Sequence, residues 1–444
     1  MHYGVTECQM PPMNVASTSQ ISTARAWVTV VILLLAAVLA FVDRQIYGLM
    51  IDPIKADLRV SDEAMGWLGG PAFAIFYCVA GVPVGWAIDR FHRGWLIAIG
   101  IALWSAMTAA CGLASTFVHL LLARIGVGVG EATLGPAAHS LMADLFERKR
   151  LPLAMGVFAV GVPMGVGLAF LFGGAVVEWV TRAGDLPWGL NLRPWQGVFL
   201  IVGAPGLVMA AAIALWVPEP RGAGAGATDS RSPEGLGVFW RAHRALVVSY
   251  LIGIGALTAV SYAQLTWLPA FFARRFGWSA GQIGPVISVL IIVFGGGGAL
   301  GGGALAMRLA GRGRPDAGLW IIAIASAISI PLVACATRSA DPRTALLLLA
   351  PSFLFGSCYV GLGPAVVQSI APAALRGRIA AWNLMLTSLT GMAIGPLAVG
   401  AVTHRLFAAD GRVGDSLALV SAVLGAVAVL ALGFALPRYR TAVS

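Results

Sequence analysis

From Leu120 to Phe146 the chain reads LLLARIGVGVGEATLGPAAHSLMADLF; nearly every side chain is apolar or small, yet the run carries Arg124 and Glu131. A helix rises about 1.5 Å per residue, so seven residues put this pair on nearly the same face, roughly 10 Å apart along the axis. A charge at the centre of a membrane-spanning helix costs at least about 2.5–3.5 kcal/mol. Such charges face a protein interior or a water-filled cavity. They serve either as a structural ion pair locking helices together or as a substrate or proton site.

A second pair, Asp43 and Arg44, stands near the end of the first apolar run. Counting from Trp27, Asp43 lies roughly 24 Å above the inner edge of the membrane; counting up from Ala143, Glu131 lies about 18 Å and Arg124 about 28 Å above it. All four charges can therefore meet. Arginine binds phosphate through a planar fork that donates two parallel hydrogen bonds, so Arg44 and Arg124 are candidates for an anionic substrate group. Glu131 and Asp43 are the proton-coupling candidates. Burial favours the neutral carboxylic acid and a neighbouring arginine favours the carboxylate, so a modest change of surroundings can switch the protonation state. His139, eight residues beyond Glu131, reads as a packed side chain before a proton carrier.

The apolar runs of the second half hold no charge, only polar or aromatic groups such as Tyr262, Gln264, Trp267 and Tyr359. A charged first-half wall facing an apolar second-half wall suits an amphiphile, with its head at the charges and its chain along Tyr262, Gln264, Trp267 and Tyr359. Other chemistries lack their residues. There is no GxSxG nucleophile elbow, no GxxxxGK[ST] loop and no histidine pair at metal-ligand spacing. Gly126-x-Gly128-x-Gly130 lies inside a span rather than after a strand, so it is no dinucleotide loop. The cysteines form no CxxC, and neither a disulfide framework nor a metal site is expected. No cofactor is implied.

Elements that position these charges follow from composition. With 444 residues, 59% hydrophobic and only 11% charged, the chain reads as an all-α polytopic membrane protein. Apolar stretches of spanning length recur about twelve times. The net charge of +10 comes almost wholly from arginine, Lys55 and Lys149 being the only lysines. The arginines cluster in short alternate loops, which is positive-inside patterning and not a nucleic-acid surface. It predicts a multi-pass protein of a bacterial inner membrane with both termini cytoplasmic. The expected organisation is a tail at 1–26, a six-helix bundle at 27–220, a cytoplasmic linker at 221–244 that is Gly/Ser-rich and flexible over 221–237, a second bundle at 245–437 and a tail at 438–444. The halves repeat: Leu134-Gly-Pro-Ala137 recurs as Leu362-Gly-Pro-Ala365, and Gly85 with Arg90 recurs as Gly303 with Arg308. Two repeated bundles with a site between them are a recurring transporter plan.

The segment Gly81–Arg93 reads GVPVGWAIDRFHR. Its glycines allow close helix approach, and Asp89, at the membrane edge beside Arg90 and Arg93, is able to form a breakable latch together with Gly85. This GxxxGxxxDRxxR pattern resembles the signature of the major facilitator superfamily, except that the second-half copy has Met307 in place of the acid. Asp43-Arg44, Arg124 with Gly130-Glu131-Ala132, and Ala143-Asp-Leu-Phe146 resemble, within it, the spinster family of lipid transporters. The resemblance implies a central cavity lined by the first and fourth spans, and alternating access. It also implies a monomeric, proton-coupled carrier of a small amphipathic substrate, such as a lysophospholipid or sphingoid phosphate, working in the lipid bilayer. A proton-linked carrier of drugs or small organic anions is the alternative. A membrane-embedded lipid enzyme is a further one, without a nucleophile or metal cluster to support it.

Overall fold

A computed structural model describes residues 21–147, 149–183, 192–220, 233–372 and 375–443. Among them every regular element is helical, and twelve spans are long and apolar enough to cross a membrane. The first half holds span 1 (Thr23–Leu49), span 2 (Asp62–Arg90), span 3 (Arg93–Gly112), span 4 (Phe117–Leu145), span 5 (Leu153–Ala183) and span 6 (Pro194–Trp216). The second holds span 7 (Phe239–Phe276), span 8 (Ala280–Ala310), span 9 (Ala317–Ala336), span 10 (Pro342–Ile370), span 11 (Trp382–Phe407) and span 12 (Asp410–Val443).

Polar side chains at the loop exits start several of these helices. Thr116 accepts from the His119 N–H (3.3 Å) at the head of span 4, and Asp341 accepts from the Thr344 N–H (2.9 Å) at the head of span 10. Each satisfies an N–H with no partner inside the helix, worth about 1 kcal/mol. The expected tail residues 1–20 and linker residues 221–232 lie outside the described residues. Residues 233–244, expected from sequence to close the linker and in part to be flexible, are instead the opening turns of one helix, Pro233–Phe276. Proline suits the first turn, and the burial of Phe239 ties this extension to the second half.

Spans 4 and 10 are each broken at mid-depth. Span 4 consists of Phe117–Glu131 and Leu134–Leu145, and span 10 of Pro342–Gly356 and Cys358–Ile370. The breaks immediately precede, or lie just ahead of, the two Leu-Gly-Pro-Ala copies. In span 4 the missing N–H of Pro136 would have bonded to Ala132, so this proline accounts for the break there, whereas Pro364 lies within Cys358–Ile370 and the break of span 10 falls earlier, at Ser357. Glu131 is consequently the last residue of a helix segment, displayed at a discontinuity.

The halves meet toward the face that carries residues 50–61. There, glycines let backbones touch across the junction: a Cβ on Gly70 would lie 2.9 Å from the Ala393 carbonyl oxygen, and one on Gly174 would lie 2.5 Å from that of Ala280. Gly48 faces the carbonyl of Thr266 in the same way, at 3.2 Å. Toward the opposite face, Gly81, Gly85, Gly301 and Gly303 have nothing within 4 Å of an added Cβ. The molecule is thus closed at the first face and splayed at the second.

Candidate functional site

Spans 1, 2 and 4 build the site. Arg44 of span 1 forms an ion pair with Glu131 of span 4; the arginine side chain is 14% exposed and the carboxylate 1%. The guanidinium stacks over Phe73 (4.5 Å) and Phe41 (4.9 Å) and lies 5.7 Å from the Tyr77 ring centre. Phe73 and Tyr77, one turn apart on span 2, stack on each other with centroids 5.6 Å apart. A cation between ring faces is held by their quadrupoles while its N–H edges stay available. From the second half, Met392 receives an Arg44 N–H at 3.7 Å. Tyr262 and Thr266 complete a small enclosed cavity of about 10 Å³ beside Arg44, room for about one water molecule.

Behind this pair lies another layer. Asp43, adjacent to Arg44 in sequence, is buried, as is Arg124. Arg124 reaches the Asp43 backbone carbonyl at 3.4 Å and lies over the rings of Tyr47 (5.3 Å) and Phe73 (5.9 Å). Within the cluster itself Arg44 Nε, Arg124 Nε and Glu131 Oε1 are buried without a hydrogen-bond partner among the described residues. Orphaned polar atoms cost about 1–3 kcal/mol each unless water or another group meets them. Their concentration around the four charges marks this region of the bundle as built for something besides stability.

The four charges named from sequence are therefore neighbours, in two layers. Arg44 and Glu131 border the junction with the second half, and Asp43 and Arg124 sit inside the first. Tyr262 also borders the site. Gln264 is buried, and Trp267 is fully buried and donates to the Pro396 carbonyl at 2.9 Å, which places it in the closed junction rather than on an open wall. Tyr359 donates to Ser261 Oγ at 3.1 Å.

At the splayed face, Gly85 and Asp89 are exposed, and Asp89 makes no ion pair among the described residues. Arg90 lies over Trp86 at 4.2 Å. Arg93, by contrast, is fully buried, with Asp144 at 2.7 Å, the Ser140 carbonyl at 2.9 Å and Glu219 on its other edge. It ties spans 3, 4 and the end of span 6 together within one half. Sequence reasoning placed Arg93 in a latch and missed this partner set; Glu219 just beyond span 6 was the available signal.

A second constellation went unnoticed in sequence. On the closed face Arg274 of span 7 clasps Asp62 with two 2.8 Å bonds and Asp52 with another of 2.8 Å. Lys55 bridges Asp62 (2.9 Å) and Asp410, and Arg405 of span 11 holds Glu63, its Nε at 2.7 Å. All of these except Lys55–Asp62 cross from one half to the other. The acids and Arg274 were visible individually, but their mutual reach depends on how spans 1, 2, 7 and 11 converge.

Residues 33–396 match the Major Facilitator Superfamily. A protein of Mycolicibacterium smegmatis described as an MFS-type efflux pump is 30% identical over 419 residues, covering 94% of each chain. Protein spinster homolog 1 of Bos taurus is 28% identical over 413 residues, 87% of this chain and 74% of that one. Among solved structures, a bacterial homolog of the human lysosomal transporter spinster, in an inward-facing and unoccupied conformation, superposes with a TM-score of 0.76. It shares 26% identity and covers 95% of this chain and 98% of its own. Twelve spans in this fold, and a family match over most of the sequence, make the chain a secondary transporter rather than an enzyme. It belongs to the Major Facilitator Superfamily and is related to its spinster members.

Proposed function

We propose that the chain carries an amphipathic lipid with an anionic head group, of lysophospholipid or sphingoid phosphate type, by alternating access coupled to protons. The observation that carries this reading is the Arg44–Glu131 pair at the junction of the halves, with aromatic rings on one side and the uncharged Met392 and Tyr262 on the other. An arriving phosphate competes with Glu131 for the Arg44 fork. Once released, Glu131 is a buried carboxylate without its counter-ion, and it takes up a proton because an unpaired charge there is costly. Proton and substrate thus exchange places on one arginine. Asp43 is the other candidate for the proton. Arg124, less accessible than Arg44, orients the first span through the Asp43 carbonyl.

By the positive-inside pattern, the splayed face with Arg90, Arg93, Arg308, Arg312 and Arg438 is cytoplasmic, and the closed face with residues 50–61 is external. The form described here is then inward-open. The relatives support the substrate reading: a sphingosine-1-phosphate transporter of Mus musculus is 31% identical over 251 residues, 55% of this chain. The Mycolicibacterium efflux pump, similar along nearly the whole length, favours a second reading, export of drugs or small organic anions.

A thermal-shift screen on purified protein separates the two, because a ligand that binds only the folded state raises Tm. Lysolipids and sphingoid phosphates should raise it, and Arg44→Lys should remove the effect while retaining the charge. A shift with cationic drugs or short organic anions and none with lysolipids selects the second reading.

A further inference from the structure

An open groove lies on the outside of the second half, away from the charge cluster. Spans 7 and 12 run antiparallel, Leu432 facing Gly253, and toward the splayed face their surfaces part to leave an open groove of about 520 Å³. Its floor and walls are apolar, with Val248, Ile252, Ala431 and Phe434 exposed or half-exposed along it. Exposed Trp240 and Arg244 stand at its end. Arg438, one turn beyond Phe434, lies over that ring at 3.6 Å and donates one N–H to the Phe434 carbonyl at 2.8 Å. The rest of its fork has no hydrogen-bond partner among the described residues.

The pairing of the neighbouring arginines is informative. Arg440 is neutralised by Asp316 at 2.7 Å. Arg244 and Arg438 have no acidic partner among the described residues. An apolar groove between membrane-spanning helices, ending in two unneutralised arginines and an interfacial tryptophan, has the polarity of a surface that seats an acyl chain with its anionic head group. An acyl chain covers Val248, Ile252 and Ala431, and a phosphate-bearing anionic head meets the two guanidiniums. A zwitterionic lipid offers the same chain but carries its own cation, so charge complementarity favours the anionic one.

We propose that this groove binds one anionic phospholipid of the phosphatidylglycerol type as a resident lipid, separate from the transported substrate. The site is independent of the substrate reading, since spans 7 and 12 enclose it without Arg44 or Glu131.

Native mass spectrometry of the full chain, released from phosphatidylcholine nanodiscs containing a tenth of phosphatidylglycerol, tests the proposal. Wild-type protein should retain one phosphatidylglycerol in preference to phosphatidylcholine. Arg244→Gln and Arg438→Gln should each lower that retention about fivefold. Arg440→Gln, whose charge is already paired, should leave it unchanged. Ala431→Trp should displace the lipid with both arginines intact, so loss of charge and loss of groove are read separately. Equal retention of the two lipids by wild type, or undiminished retention in Arg244→Gln/Arg438→Gln or in Ala431→Trp, overturns the site. A dimer mass that Ala431→Trp abolishes would assign the groove to a second copy of the chain and would overturn it equally.

Discussion

The two halves bring the same pair of spans together at their repeated break, but with different chemistry. Three residues ahead of the first Leu-Gly-Pro-Ala stands Glu131, which holds Arg44 of span 1. Three residues ahead of the second stands Tyr359, which holds Ser261 of span 7 through a neutral 3.1 Å hydrogen bond. A hydroxyl pair there satisfies the buried groups at little cost. The ion pair costs several kcal/mol in desolvation that its attraction only partly returns. The second half shows that the fold does not require charge at this point, which supports the proposed role of the first-half pair in transport.

Breaking the charged side should have the largest effect. Arg44→Ala leaves Glu131 buried and unpaired, and should lower stability by about 3–5 kcal/mol and abolish substrate binding. Arg44→Ala/Glu131→Ala should regain most of the stability without regaining binding. Thermal unfolding and a binding titration on the same samples check both. A double variant as unstable as Arg44→Ala would make the pair purely structural.

The comparison can also be sharpened between the two faces. On the closed face Arg274 joins the halves through Asp62 and Asp52, whereas on the splayed face Arg93 bonds only within its own half. Arg274→Ala should shift the population about tenfold or more toward the form open at the first face, since it strands Asp52 and leaves Asp62 with Lys55 alone. The labelling rates of single cysteines placed on each face report that balance. The latch proposed for Asp89 would pair in the other state, so Asp89→Asn should move the balance in the opposite sense. Unchanged labelling in both variants would remove the gate assignment. Gly174→Val, whose Cβ meets the Ala280 carbonyl at 2.5 Å, should also open the first face, and Gly85→Val, with open space around it, should instead hinder closure of the second.

The smallest effect belongs to the neutral counterpart. Tyr359→Phe removes one hydrogen bond, worth about 1 kcal/mol, and should change transport by no more than a few fold. A loss as deep as that of Arg44→Ala would mean that the halves share the chemistry.

Much of this was legible in the sequence, for identifiable reasons. Charges inside apolar runs stand out because they are costly, so Asp43, Arg44, Arg124 and Glu131 announced themselves, and depth counting allowed them to meet. The partners did not follow from counting. Depth cannot tell that Arg44 rather than Arg124 takes Glu131, because that depends on the rotation of span 1 and on the break after Glu131. Phe73, Tyr77 and Met392 were hidden for the opposite reason: apolar side chains in apolar runs carry no signal. The Arg274–Asp62 clasp was missed because its members lie more than two hundred residues apart and only the tertiary fold unites them. The helix beginning at Pro233 was masked by the Gly-rich composition just before it.

The central claim is that Glu131 and the substrate compete for Arg44, so that proton uptake follows substrate binding. Uptake of a lysolipid into liposomes, with and without an imposed pH gradient, tests it for wild type, Glu131→Gln and Asp43→Asn. The account predicts that the gradient accelerates wild type, that Glu131→Gln loses this acceleration while substrate-driven exchange persists, and that Asp43→Asn retains it. Full gradient dependence in Glu131→Gln, with its loss in Asp43→Asn, would move the proton to span 1; gradient dependence untouched in both would contradict the claim outright.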